Sequence, residues 1–219
     1  MSSIVTFIGW HDSGKTTLTK QVVSELKKLG YRVAVIKSSN DSGIQFDTPG
    51  TDTYMHKAAG ADSVMLVAPD QMVLQTHNSG LSLRTLAHRY FPDVDIVIGE
   101  GFKTAKKIAK IEVFRNRDQK LRDEVQGVIA VATDVEGVAG NYVFRLDEAA
   151  EIALFIEKRF LTRKDSKEMT ALLVNGNKIP LKDFIQEALA GTVYGFVKTL
   201  KFNKDIKEIE LRIRVDNGE

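Results

Sequence analysis

The octapeptide Gly9-Trp10-His11-Asp12-Ser13-Gly14-Lys15-Thr16 constrains this chain more than any other feature. It follows an apolar, β-branched run from Ile4 to Ile8 that reads as a buried strand. It precedes Leu18, Val22, Leu26 and Leu29, whose spacing lays one apolar stripe along a helix, and Gly30 stands where a C-terminal cap belongs. Tyr31 to Ile36 then reads as a second strand. Strand, glycine-bounded turn, helix and strand in this order make a βαβ unit, with parallel neighbours and a right-handed crossover.

Gly9-x-x-x-x-Gly14-Lys15-Thr16, placed between strand and helix, fits the phosphate-binding P-loop at every position. Its glycines let the backbone bend so that successive amides face a phosphate, assisted by the positive end of the following helix. Lys15, expected to be exposed when the loop is empty, reaches for β- and γ-phosphate oxygens. The Thr16 hydroxyl completes a magnesium shell of phosphate oxygens and waters. The nucleotide-contacting set is therefore Gly9, His11, Asp12, Ser13, Gly14, Lys15, Thr16 and Thr17.

Such a loop needs a carboxylate from a neighbouring strand end to hold magnesium or orient water. In Asp95-Ile96-Val97-Ile98-Gly99-Glu100-Gly101, Glu100 lies at the carboxyl end, where ligands bind in open α/β sheets, and Asp95 at the start. Glu100 is the preferred metal or water contact, with a solvated turn residue as the competing reading. Asp95 is assigned a structural role. Lys15 and Glu100 are the catalytic candidates. Val128 to Ala132 forms another strand, ending in Thr133-Asp134. A carboxylate pairs with the two adjacent donors of guanine, a pair that adenine lacks, so Asp134 favours GTP; Asn-Lys-x-Asp itself is absent. Asp47, in Phe46-Asp47-Thr48-Pro49-Gly50-Thr51-Asp52-Thr53, is either a magnesium or water contact or part of a turn with Thr51 or Asp52 capping a helix. His11, His56, His77 and His88 have no metal-ligand spacing.

The remaining pattern predicts strands at Ser63–Val67, Met72–Gln75, Val94–Ile98 and Ala109–Phe114, and helices near Thr53–Ala59, Leu81–Tyr90 and Glu148–Phe160. The expected fold class is α/β, a P-loop NTPase-type sheet flanked by helices. Leu161 to Glu168 is polar, aperiodic and reads as a linker, dividing a domain over residues 1–162 from an appendage over residues 169–219. In the appendage, Asn175-Gly176 signals a hairpin, a helix is expected from about Leu181 to Leu200, and alternation from Ile209 to Val215 reads as a strand. This small C-terminal appendage is accordingly predicted as ββαβ.

Composition narrows the chemistry. With no Cys among 219 residues, disulfides, thiolate nucleophiles and cysteine-ligated metals are excluded. A net charge of +2 argues against wholesale binding to nucleic acid or an anionic membrane. With no long apolar span and no signal-peptide pattern at the N-terminus, the expected address is cytoplasmic. Charge is local instead. From Lys103 to Arg122 eight basic residues face only Glu112 and Asp118, a net +6. The run reads either as a solvated face or as a face that attracts a polyanionic ligand or partner.

The P-loop, Val35-Ile36-Lys37, Asp47-x-Pro49-Gly50-x-Asp52-Thr53, Ala58-Ala59-Gly60-Ala61, Glu100-Gly101-Phe102-Lys103 and Ala132-Thr133-Asp134 together resemble the molybdopterin-guanine dinucleotide biosynthesis protein B family, MobB. The resemblance covers roughly residues 2–160. It implies a GTPase-like fold that binds GTP with magnesium, hydrolyses it weakly and forms homodimers beside the guanylyltransferase that joins GMP to molybdopterin. It also places Lys103 with Glu100 in the box beside the active site. There is one departure: where family members often carry histidines after the strand-ending lysine, Ser38-Ser39-Asn40-Asp41 follows Lys37. Two rival functions stay open, a small-molecule kinase with Arg84 and Arg89 as lid candidates, and a nucleotide-switched, metallochaperone-like binding module.

Overall fold

A computed structural model describes residues 3–116, 120–162, 170–175, 177–179, 181–200 and 205–213. The chain divides into two units, Met1–Arg163 and Lys164–Glu219. The first contains β1 (Ser3–Ile8), α1 (Lys15–Lys28), β2 (Val33–Lys37), α2 (Asp52–Ala58), β3 (Ser63–Val67), β4 (Met72–Thr76), α3 (Leu83–Tyr90), β5 (Ile96–Glu100), β6 (Ala109–Val113), β7 (Val128–Ala132), β8 (Val143–Phe144) and α4 (Ala149–Ile156). A π-helical turn, Glu157–Leu161, continues α4.

Six strands form one sheet in the order β2-β5-β1-β6-β7-β8, and every pairing is parallel. The strands are short and apolar because both faces are covered. On one face Val5 and Phe7 of β1 and Ile96 and Ile98 of β5 pack with Leu18, Val22 and Leu26 of α1 and Ile152 and Ile156 of α4. On the other, Val97 and Ala34 meet Ala87 of α3. Leu18, Val22 and Leu26 of the expected stripe are the buried face of α1, whereas Leu29, its C-terminal cap residue, is exposed. That helix ends as its sequence suggests: Gly30, at φ 89°, donates to the Lys27 carbonyl at 3.0 Å and Tyr31 donates to Leu26 at 3.1 Å.

The structure departs from expectation in several places. Strand β5, expected over Val94–Ile98, runs from Ile96 to Glu100, so Glu100 stands at its carboxyl end as preferred and is not a solvated turn residue. Strand β8, two residues long, was too short to announce itself by periodicity. Strands β3 and β4 pair only with each other, antiparallel, outside the main sheet. Leu161, expected to open the linker, is buried at the end of the helical turn; residues 163–168 of that stretch lie outside the described residues.

In the second unit β9 (Leu172–Val174) pairs antiparallel with β10 (Asn177–Ile179), and α5 (Asp183–Thr199) follows. Asn175 adopts φ 49°, the left-handed conformation that a tight hairpin turn requires. The final strand of the expected ββαβ is not formed over the described residues, since 205–213 have no regular structure. Alternation stabilises a strand only where a neighbour completes its hydrogen-bond ladder, and Leu211 and Ile213 are 66% and 73% exposed. Val215 lies outside the described residues.

Candidate nucleotide site

The glycine-bounded turn leaves β1 beside the end of β6. A Cβ on Gly9 would sit 2.2 Å from the Val113 carbonyl oxygen and 2.7 Å from Ser13 Oγ, so only glycine lets the loop pass this close to its neighbouring strand. Gly14 caps the start of α1 at φ 90°, and Asp12 is also left-handed at φ 58°. The first amides of α1, from Lys15 and Thr16 to the exposed Thr17, have no intrahelical acceptor and carry the positive end of the helix. The His11 and Asp12 side chains pair with each other at 2.8 Å in solvent, leaving their backbone as what they offer to a ligand. Lys15 is not exposed as expected. It is half-buried, and its Nζ donates to the Trp10 carbonyl and lies 3.4 Å from Ser13 Oγ. Desolvation lowers its pKa, with the charges of Glu100 and Asp12 pulling the other way. An arriving phosphate would supply the negative charge this ammonium lacks.

Glu100 is brought to the same place by register. It pairs across the sheet with Phe7 of β1 and Lys37 of β2, one residue short of where β1 breaks into the loop. Its carboxylate is 6% exposed; Thr16 Oγ1 donates to Oε1 at 2.6 Å and Lys37 Nζ lies 3.4 Å from the same oxygen. Thr16 and Glu100 thus form a pair of hard oxygen donors. Among the described residues no group of three or more His, Cys, Asp or Glu side chains is arranged for a metal. Two protein oxygens fit magnesium, which keeps several waters and takes the rest of its octahedron from phosphates.

Asp47 is not shown joined to this pair. Its Oδ1 accepts from Thr48 N at 2.8 Å and Thr51 Oγ1 at 2.9 Å, and hydrogen bonds from Thr53 and Thr51 lower its pKa. Thr51 caps α2, accepting from Tyr54 N at 3.3 Å. Asp95 has the structural role expected, accepting from Arg32 N at 2.7 Å. Asp134 stands beyond β7, two strands from β1. The register Ile8 to Glu112 to Val131 places it about 10 Å across the sheet from the loop, at the spacing of two strands. It is exposed beside an open cavity of about 250 Å³ lined also by Thr133, Gly137, Val138 and Phe144, and its Oδ1 accepts from Leu146 N at 3.1 Å. Lys103 Nζ sits 4.9 Å above the Trp10 ring, tying the box after β5 to the loop.

Residues 4–134 match the family model described as molybdopterin guanine dinucleotide synthesis protein B. The chain belongs to the MobB family. Its role therefore lies in molybdopterin-guanine dinucleotide biosynthesis. It is 34% identical over 142 residues to the molybdopterin-guanine dinucleotide biosynthesis adapter protein of Escherichia coli, covering 62% of this chain and 80% of that one. A putative adapter protein from Methanocaldococcus jannaschii aligns over 97% of both chains at 27% identity, a span that takes in the second unit. A crystal structure of molybdopterin-guanine biosynthesis protein B superposes with a TM-score of 0.58 at 31% identity, covering 71% of this chain and 98% of that one.

The basic run of this MobB chain is not one face. Lys110 is buried, donating from Nζ to the carbonyls of Ala105 at 2.6 Å, Gln126 at 2.8 Å and Ile108 at 3.3 Å, and desolvation lowers its pKa. Arg122 donates to the Ala139 carbonyl at 2.8 Å and lies 3.7 Å from the fully buried Glu112. Lys106 and Lys107 remain exposed, and Arg117 lies outside the described residues. Arg84 Nη2 donates to the Lys107 carbonyl at 3.1 Å, an anchored position for a lid candidate. Sequence reading had given Lys37 no place in the site; its signal was its position at the end of a strand level with Glu100.

Proposed function

We propose that this chain binds magnesium-GTP, with Lys15 and the loop amides on the phosphates, Thr16 and Glu100 on the metal, and Asp134 on the guanine edge. The observation that carries the reading is the 2.6 Å hydrogen bond between Thr16 and Glu100, which couples the loop to the carboxylate of the neighbouring strand. Weak hydrolysis fits the same geometry. A carboxylate already held by Thr16 and Lys37 is well placed to bind metal and poorly placed to take a proton from water. The output is assistance to the guanylyltransferase that attaches GMP to molybdopterin, in the cytoplasm, with this chain acting as a homodimer. The dimer is supported by β3 and β4, whose Met65, Leu66, Val67, Met72 and Val73 are all exposed, since a two-stranded ribbon of this kind is marginal without cover. A second copy supplies identical apolar surface.

Trp10 is the single tryptophan and lies in the loop, so its fluorescence reports occupancy directly. Titration with magnesium and GTP is expected to saturate, with ATP on the order of 10²-fold weaker because Asp134 is left unpaired against adenine. Asp134→Ala is expected to erase that preference. No binding of either nucleotide rejects the site; equal affinity for both, or an intact preference in the variant, rejects the role of Asp134.

A further inference from the structure

We infer that Arg115 is a phosphate ligand of the nucleotide site, an arginine held within the chain and delivered to the loop by β6. The inference rests on the nucleotide reading above and extends it to one of the eight basic residues between Lys103 and Arg122. Strand β6 ends at Val113, alongside β1, and the chain continues through the buried Phe114 to Arg115. The guanidinium then folds over the loop: a Cβ on Gly14 would lie 3.2 Å from Arg115 Nε and 3.3 Å from Nη2. Gly14 therefore serves two needs, its left-handed conformation and the room for this planar group. Among the described residues the guanidinium of Arg115 has no carboxylate and no hydrogen-bond acceptor as partner, unlike Arg122 and Arg84 of the same neighbourhood.

An unpaired guanidinium resting against Gly14, the cap of α1 and the residue before Lys15, adds positive charge beside the free amides of that helix, where the nearest carboxylates are already engaged. The Asp12 carboxylate is paired with His11, and that of Glu100 is engaged by Thr16 and Lys37. The ligand matching this arrangement is a polyphosphate, which a planar fork of donors binds through two oxygens at once. A lysine there keeps the charge and loses the fork. The anchor is rigid, because Val113 lies in the sheet and its carbonyl packs on Gly9, so the guanidinium is positioned by the same contact that shapes the loop.

The test compares wild type, Arg115→Ala and Arg115→Lys by calorimetric titration with magnesium-GTP and with GDP, beside thermal melting without nucleotide. Arg115→Ala is expected to lose about 10- to 100-fold in affinity for both nucleotides with an unchanged melting temperature, and Arg115→Lys to recover part of that loss. Wild-type affinity in Arg115→Ala overturns the inference while leaving the nucleotide site standing. A loss of affinity matched by a lowered melting temperature, with no recovery in Arg115→Lys, also overturns it and makes Arg115 a buttress of the loop. Failure of the wild type itself to bind GTP or GDP points instead to the nucleotide reading as the error.

Discussion

The parallel sheet and the β3–β4 ribbon sit in the same unit and solve opposite problems. In the sheet, β1 and β5 are covered on both faces, and residues such as Val5, Phe7, Ile96 and Ile98 have no exposed surface. That packing fixes strand ends closely enough to aim Glu100 at Thr16. In the ribbon the strands register Leu66 with Val73 and Met65 with Leu74, yet these side chains stay exposed on both faces, Val67 by 71%. One region is complete within its own chain and intolerant of change. The other carries the same residue types largely exposed, the surface that the proposed second copy would cover.

The comparison is broken most severely at Gly9. Its replacement by Ala puts a methyl 2.2 Å from the Val113 carbonyl, a backbone atom that cannot yield without separating β1 from β6. Gly9→Ala is expected to cost about 3 kcal/mol in urea unfolding and to abolish GTP-induced change in Trp10 fluorescence. A variant as stable as wild type would show that the loop has slack the packing does not suggest.

What the sequence disclosed follows the same division. The glycine-bounded turn after β1 and most of the stripe of α1 were legible because local pattern and tertiary use agree: a buried strand must be apolar, a helix facing it must be striped, and a turn passing this close to a neighbouring carbonyl must start with glycine. Glu100 was legible at the carboxyl end of its strand, although the strand itself, expected over Val94–Ile98, lies two residues further along at Ile96–Glu100. Lys110 misled for a different reason. Lysine in a charged run normally points to water, and nothing local reveals that three carbonyls from Ala105, Ile108 and Gln126 converge to receive its ammonium. The separation of β3 and β4 from the main sheet was equally hidden, since alternation specifies a strand and not its partner. Over the described residues the terminal strand expected from Ile209 onward is not formed, for want of such a partner.

The ribbon offers a smaller effect with a cleaner meaning. Leu66→Lys combined with Val73→Glu places opposite charges directly across the two strands, which preserves the cross-strand pair while removing its apolar surface. The unfolding free energy of dilute protein is expected to stay within about 0.5 kcal/mol of wild type, as for exposed positions elsewhere. The homodimer dissociation constant, measured by sedimentation, is expected to rise about tenfold or more, the consequence of losing roughly 1.4 kcal/mol of apolar burial. Unaltered self-association would remove the ribbon from the dimer interface.

The smallest effect is expected at Lys106 and Lys107, which belong to neither class of surface. They are exposed and close in sequence to Lys103 above Trp10. With Lys110 buried and Arg122 beside Glu112, any attraction for an acidic pterin phosphate or an acidic partner surface would fall chiefly to these two. Such attraction acts at a distance, so Lys106→Glu with Lys107→Glu should slow association by a factor of a few while leaving dissociation and GTP affinity near wild type. Salt separates this from an apolar contact of the kind assigned to the ribbon. The Debye length shrinks from about 10 Å at 0.1 M to about 3 Å at 1 M, so the difference between variant and wild type should vanish across that range, whereas a defect in apolar docking should persist. Stopped-flow association with molybdopterin and with the guanylyltransferase over a salt series makes the measurement. Equal association rates at low salt would reduce Lys106 and Lys107 to solvated charges and leave Lys103, over Trp10, and Arg115, against Gly14, as the cations of this region that lie on the loop.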